Sequence, residues 1–100
     1  MARLLVAGSR AFKHRFLVEE QMELAALDLG FTGLVVVHGD CPTGADAFAK
    51  HWALFNYGYG VREERHPAQW DKFGKFAGPK RNREMVDKGA DRVLAFPHKD

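Results

Sequence analysis

Apolar residues fall into two alternating kinds of stretch along this chain. Short uninterrupted runs occur at Arg3 to Ala7 (Arg-Leu-Leu-Val-Ala) and at Leu34 to Val37 (Leu-Val-Val-Val). A run this apolar fits a strand buried on both faces, so both are expected near the centre of a sheet. Between them, from about His14 to Leu29, Val18, Met22, Ala25 and Leu29 recur at helical spacing, with Glu19, Glu20 and Glu23 on other faces and Gly30 as the stop. A second helical stripe, Ala45, Phe48, Ala49, Trp52 and Ala53, begins after Thr43, and Asn56 to Gly60 supplies its exit turn. Thr43 and Asp46 stand at capping-box spacing, with Asp in place of the usual Glu or Gln. Val61-Arg62-Glu63-Glu64-Arg65 reads as a third strand whose charges require an edge. His66 to Gly78 shows no clean period and is expected to be a long loop holding Trp70, Phe73 and Phe76. Pro79 to Asp87 predicts a short helix closed by Gly89, and Arg92 to Phe96 a fourth strand.

Strands alternating with helices predict an α/β fold: a small Rossmann-like three-layer domain with a four-stranded parallel sheet, right-handed crossovers and strand order 3-2-1-4. One hundred residues make a single domain, 1–100. With 46% hydrophobic and 28% charged residues, a core is available and disorder explains nothing. The net charge of +2 is too balanced for a dedicated nucleic-acid or anionic-membrane binder. Cys41 is the single cysteine, so no intrachain disulfide framework is possible. No apolar stretch approaches membrane-spanning length and none resembles a signal peptide, so a cytoplasmic protein is expected.

Three strand-to-helix corners concentrate the candidate chemistry: Gly8-Ser9-Arg10, His38 through Asp46, and Ala77-Gly78-Pro79-Lys80-Arg81-Asn82. Unpaired backbone N–H groups and the positive end of a helix dipole at such corners favour an anion. Gly8 would let a ligand approach the backbone, Ser9 offers a hydroxyl and Arg10 a planar fork; a tight turn with a solvated arginine is the bland equivalent. For Gly39, Thr43, Gly44 and Asp46 the functional reading is a phosphate or ribose cradle, and the bland one is that Thr43 and Asp46 only cap their helix. His38, Asp40 and Cys41 are all zinc-ligating types, but adjacent residues point apart and no second Cys/His pair stands at a suitable spacing, so neither metal nor cofactor is expected. Arg65 to Arg83 is the strongly basic stretch, with Lys72, Lys75, Lys80, Arg81 and Arg83 against Asp71. Trp70 there could stack on a base, and Arg81 and Asn82, in the first turn of a helix, face the presumed cleft.

Taken in order, Ala7-Gly8-Ser9-Arg10, His38-Gly39, Gly44-Ala45-Asp46, Trp52, Pro67-Ala68-Gln69-Trp70, Ala77-Gly78-Pro79 with Arg81-Asn82, and Met85 resemble the YspA-type, cpYpsA-related branch of the SLOG superfamily. That Rossmann-like group includes the LOG phosphoribohydrolases and the DprA DNA-processing proteins. The resemblance implies a domain that binds nucleotides or nucleotide-derived ligands, often as signals in conflict or stress systems of bacteria and phages. Carried over by position, the ligand-contacting set is Gly8, Ser9, Arg10, Gly39, Gly44, Asp46, Arg81 and Asn82. The resemblance also marks departures. Related proteins usually continue past the fourth strand into a second Gly-rich turn, a helix and a fifth strand, whereas Phe96-Pro97 is followed here by His98-Lys99-Asp100. The expectation is a domain shortened at that end, with part of the phosphate site either missing or supplied by another subunit, and with part of the sheet either left exposed or covered by a partner in a homo-oligomer. The LOG motif PGGxGTxxE has no counterpart in this sequence.

The reading that follows is a nucleotide-derived small molecule bound without chemistry, by a sensor or sequestering protein. The alternative is a small nucleotide hydrolase cleaving an N-glycosidic bond. Asp46 would then orient the ribose or activate water, with Asp40 or Asp71 as second acid or base. A DprA-like single-strand binder built on the basic aromatic stretch is disfavoured by the modest net charge.

Overall fold

A computed structural model of the chain describes residues 2–97; the expected C-terminal shortening falls on His98, Lys99 and Asp100, outside the described residues. Four strands, β1 (Arg3–Gly8), β2 (Val35–His38), β3 (Arg62–Arg65) and β4 (Arg92–Phe96), form one sheet in the order β3-β2-β1-β4. Every pairing is parallel, with Leu4 opposite Val36 and Leu5 opposite both Val37 and Val93. This is the α/β Rossmann-like architecture that the alternating pattern predicts, with the apolar runs at the centre and the charged run at an edge.

Alternation along the strands divides the core. Leu4, Val6 and Val36 face α1 (Arg15–Leu29) and α2 (Gly44–Phe55), whose Val18, Met22, Ala25, Ala49 and Trp52 close the larger cluster. Leu5 and Val37 face the other way, onto Met85 of α4 (Ala77–Asp87), in a much smaller cluster that leaves Val93 exposed. At the β3 edge the charges are paired rather than merely solvated. Arg3 donates two hydrogen bonds to the Glu64 carboxylate, at 2.6 and 3.0 Å, and His66 contacts the same carboxylate at 2.6 Å. These partners hold Glu64 at a pKa of about 2, against the opposing push of its partial burial.

Two expected elements change. The stretch His66 to Gly78 is not a structureless loop: it contains a one-turn helix, α3 (Trp70–Phe73), and a 3-10 turn over Gly74–Phe76 that runs straight into α4. The helix of α4 therefore begins at Ala77 rather than Pro79, and Pro79 stays within the first turn, where its missing N–H costs no intrahelical bond.

Candidate functional site

The loops that follow β1 and β2 open at the same rim of the sheet, where all the parallel strands end. Gly44, at φ +78°, begins α2 pressed against the first loop; a Cβ there would lie 2.2 Å from the Ser9 carbonyl oxygen and 2.7 Å from Arg10 Cα. Only glycine meets both the backbone angle and the approach. Thr43 sits in the extended conformation of an N-cap, but its hydroxyl donates to the Arg10 carbonyl at 3.0 Å and makes no cap bond. The expected capping box is thus not formed, because the neighbouring loop offers the Thr43 hydroxyl an acceptor and no side chain closes the helix end. Asp46 remains in the first turn, where a carboxylate complements the dipole.

Ser9 is sewn into the same junction. Its N–H donates to the Phe96 carbonyl at 3.1 Å, its carbonyl accepts from Phe12 and Ala45, and its hydroxyl oxygen accepts from the Ala11 N–H at 3.0 Å. Gly8 is fixed by packing: a Cβ would fall 2.7 Å from both Ala45 Cβ and the Phe96 carbonyl. Arg10 projects outward with its guanidinium carbon 5.6 Å from the Trp70 ring centroid, and the Trp70 ring in turn lies over Gly78 of α4, where a Cβ would come within 3.1 Å of it. The structure thus brings Gly8, Ser9, Arg10, Thr43, Gly44, Trp70 and Gly78 to one rim. Trp70 packs on the first turn of α4 at Gly78, and the Ala77 N–H at its start donates to the Gly74 carbonyl of the preceding 3-10 turn.

Arg81 is buried, and its side chain ties loops together. Nη1 donates to the Gly39 carbonyl at 2.5 Å and to the His66 carbonyl at 3.3 Å, and Nε donates to Asn82 Oδ1 at 2.8 Å. A Cβ on Gly39 would stand 2.2 Å from Arg81 Nη1 and 2.7 Å from Asp46 Oδ2, so Gly39, Asp46 and Arg81 crowd together beneath the rim while Asn82 lies at the surface. Cys41 completes this cluster. Burial pushes its thiol up, the Asp46 carboxylate beside it adds to the push, and Arg81 opposes it weakly, so the thiolate is disfavoured. His38 is fully buried with both ring nitrogens used: Nε2 contacts Glu63 at 2.7 Å, and Nδ1 accepts the Asp40 N–H at 3.0 Å, bracing Asp40 at φ +56°. Burial pushes Glu63 up, yet Arg65 and His38 together bring it below the ordinary carboxylate range. These contacts leave His38 no free lone pair for a metal. Among the described residues, no three His, Cys, Asp or Glu side chains form a cluster able to hold a metal ion.

Beside the Ser9–Gly44 junction lies an open groove of about 630 Å³, lined by Arg10 and Thr43–Gly44 and also by Lys13, Arg15, Phe48 and His51. No Asp or Glu lines it. The sequence reading missed Lys13, Arg15, Phe48 and His51. Their signal was a run of basic residues after Gly8 (Arg10, Lys13, His14, Arg15) and a histidine one helical turn beyond Ala47, on the flank of the apolar stripe. Arg15 also pairs with Glu19 at 3.3 Å, which leaves Arg10 and Lys13 as the less encumbered cations, with the His51 imidazole on the same lining.

Fold and rim together define a small Rossmann-like α/β domain with a cationic groove at the C-terminal ends of parallel strands, the place where open sheets of this kind take ligands. The chain belongs to the YspA, cpYpsA-related SLOG family, whose model matches residues 2–73. It is also similar to the Gene 61 protein of Mycobacterium phage D29, with 46% identity over 99 residues, covering 97% of this chain and 78% of that one. No solved structure matches it significantly. Family membership associates the chain with nucleotide-related ligands. Among the described residues, no helix is long and apolar enough to cross a membrane.

Proposed function

We propose that this domain binds a nucleotide or nucleotide-derived small molecule at the strand-end rim and acts as a sensor or sequestering protein. One observation carries the reading: a groove of about 630 Å³ that has Arg10, Lys13, Arg15 and His51 on its lining, no carboxylate, and on one side the start of α2 at Thr43–Gly44, which no side chain caps. A phosphate there meets the positive end of a helix and arginine and lysine donors on a lining without carboxylates; Glu19 offsets part of the Arg15 charge, and Asp46 in the first turn of α2 is buried. Phe48 and Phe12 offer apolar surface for a base in the same groove, and Trp70, half-exposed beside Arg10, offers a second ring. Gly8, Gly39 and Gly44 act through the close backbone approach they permit. Arg81 acts by holding the Gly39 loop, with Asn82 as its partner, and Ser9 and Asp46 shape the junction. A second copy of the chain covering the open side of the sheet at Val93 belongs to the same proposal.

No observation favours the hydrolase. Asp46 is only 5% exposed and lies against Cys41 and Gly39, a poor position from which to activate water. Titrating the protein with nucleotides, dinucleotides and ADP-ribose-like compounds by calorimetry, followed by mass spectrometry of the recovered ligand, tests the reading. Tight binding with the ligand recovered intact is expected. Release of free base or ribose phosphate would overturn it in favour of the enzyme, and steeply salt-dependent binding of oligonucleotides alone would overturn it in favour of a single-strand binder.

A further inference from the structure

A second groove, of about 680 Å³, lies further along the helical layer between α1 and the end of α2, next to the cationic groove and joined to it by the Arg15–Glu19 pair, and its chemistry is the reverse. Glu19, Glu20 and Glu23 of α1 run along it and no Lys or Arg lines it. Its floor is aromatic: the Phe31 and Trp52 rings lie 6.0 Å apart, and Tyr59 meets Phe31 edge-on at 6.1 Å. Phe16, Phe55 and Tyr59 rise from this floor 83%, 86% and 67% exposed. Rings this open, gathered in one groove rather than scattered, mark a surface built to be covered.

The groove is held in shape before any partner arrives. Trp52 Nε1 donates to Glu23 at 3.1 Å, which orients the floor, and Asn56 Nδ2 returns to the Trp52 carbonyl at 2.8 Å. The turn that carries Tyr59 is tied to the loop of Phe31 by Gly33 N–H donating to the Gly60 carbonyl at 3.0 Å. Aromatic faces and carboxylates both attract cations, the first through the ring quadrupole and the second by charge. An anionic ligand is repelled here. A symmetric pairing of two copies through this surface would set the glutamates of one against those of the other, a like-charge contact that disfavours it.

We infer that this groove docks a peptide segment of another protein that presents a lysine or arginine flanked by apolar side chains. The cation meets Glu20 and the ring faces, and the apolar neighbours cover Phe16 and Phe55. The inference uses none of the residues that line the rim groove; because Glu19 pairs with Arg15 there, nucleotide binding is measured on the same variants, which keeps failure of one reading distinguishable from failure of the other.

The test titrates the full chain with two synthetic peptides of equal length, one alternating lysine and leucine and the other glutamate and leucine. It is repeated on Glu19→Lys/Glu20→Lys and on Phe55→Ser, all surface changes whose folding is checked by melting temperature. The lysine–leucine peptide is expected to bind and to weaken with added salt. Its affinity should fall about tenfold or more in the double variant and measurably in Phe55→Ser. Three results overturn the inference. The first is no binding of the lysine–leucine peptide up to about 1 mM. The second is equal binding of both peptides or affinity indifferent to Glu19 and Glu20. The third is salt-sensitive self-association of the chain that is abolished by Lys72→Glu/Lys75→Glu, which would make a second copy the occupant.

Discussion

Arg10 and Arg81 are both arginines at the rim, yet they are spent differently, and the difference is measurable. Arg10 projects over Trp70 into solvent and owes the fold little, whereas Arg81 is buried with its donors committed to the Gly39 and His66 carbonyls. Arg10→Ala is expected to weaken binding of a phosphate-bearing ligand about ten- to hundredfold, the worth of a charged hydrogen bond, with the melting temperature nearly unchanged. Arg81→Ala leaves buried carbonyls without their donor and is expected to cost about 2–4 kcal/mol of stability, read by denaturant titration. Gly44→Ala should be comparably severe, about 2–4 kcal/mol. The methyl group would enter the Ser9 carbonyl at a backbone angle that alanine resists. Thr43→Val removes the hydroxyl bond to Arg10 and should cost about 1 kcal/mol while loosening the loop that presents Arg10.

Among the elements, β3 shows how a strand made of charges is kept at an edge. Its Glu64 is held at a pKa of about 2 chiefly by Arg3 of β1, across the intervening β2. A carboxylate depressed in the folded state stabilises above its unfolded pKa, near 4.3. That contribution is lost as pH falls from there toward 2. The pair is part-exposed and screened, so the contribution is about 1 kcal/mol. Glu64→Gln should lower the melting temperature at pH 7 and flatten its decline between pH 4.5 and 2, as followed by circular dichroism. The strand order was legible because buried runs, an edge run of charges and helical stripes leave few topologies for a parallel sheet. Trp70 to Phe76 was not: a single turn of helix followed by a 3-10 turn is too short to show a period, and its rings are held by Arg10, Gly78 and nearby lysines rather than by one apolar face. The capping box failed for a related reason. Spacing within α2 carries no word of the Arg10 carbonyl that the β1 loop brings to Thr43. Likewise, the glycines and Arg10 of the rim stand in recognisable order in the sequence, but Lys13 and His51 join them only through the packing of α1 against α2.

Across the whole molecule, charge is sorted into separate surfaces although the net charge is only +2. Cations line the groove at the strand ends, and carboxylates line the groove on the helical layer. A domain of this kind needs no charge excess to hold a phosphate, because a helix start and a few cations at one rim supply the local field. The central claim is that this rim binds a nucleotide-derived ligand through the junction of the β1 and β2 loops. Calorimetric titration of the native chain and of Arg10→Ala/Lys13→Ala with the same nucleotide panel tests it most directly. The account predicts saturable binding of at least one phosphate-bearing member to the native chain and its loss, by about a hundredfold, in a double variant that melts at the native temperature. Equal affinity of the two proteins for that ligand would contradict it.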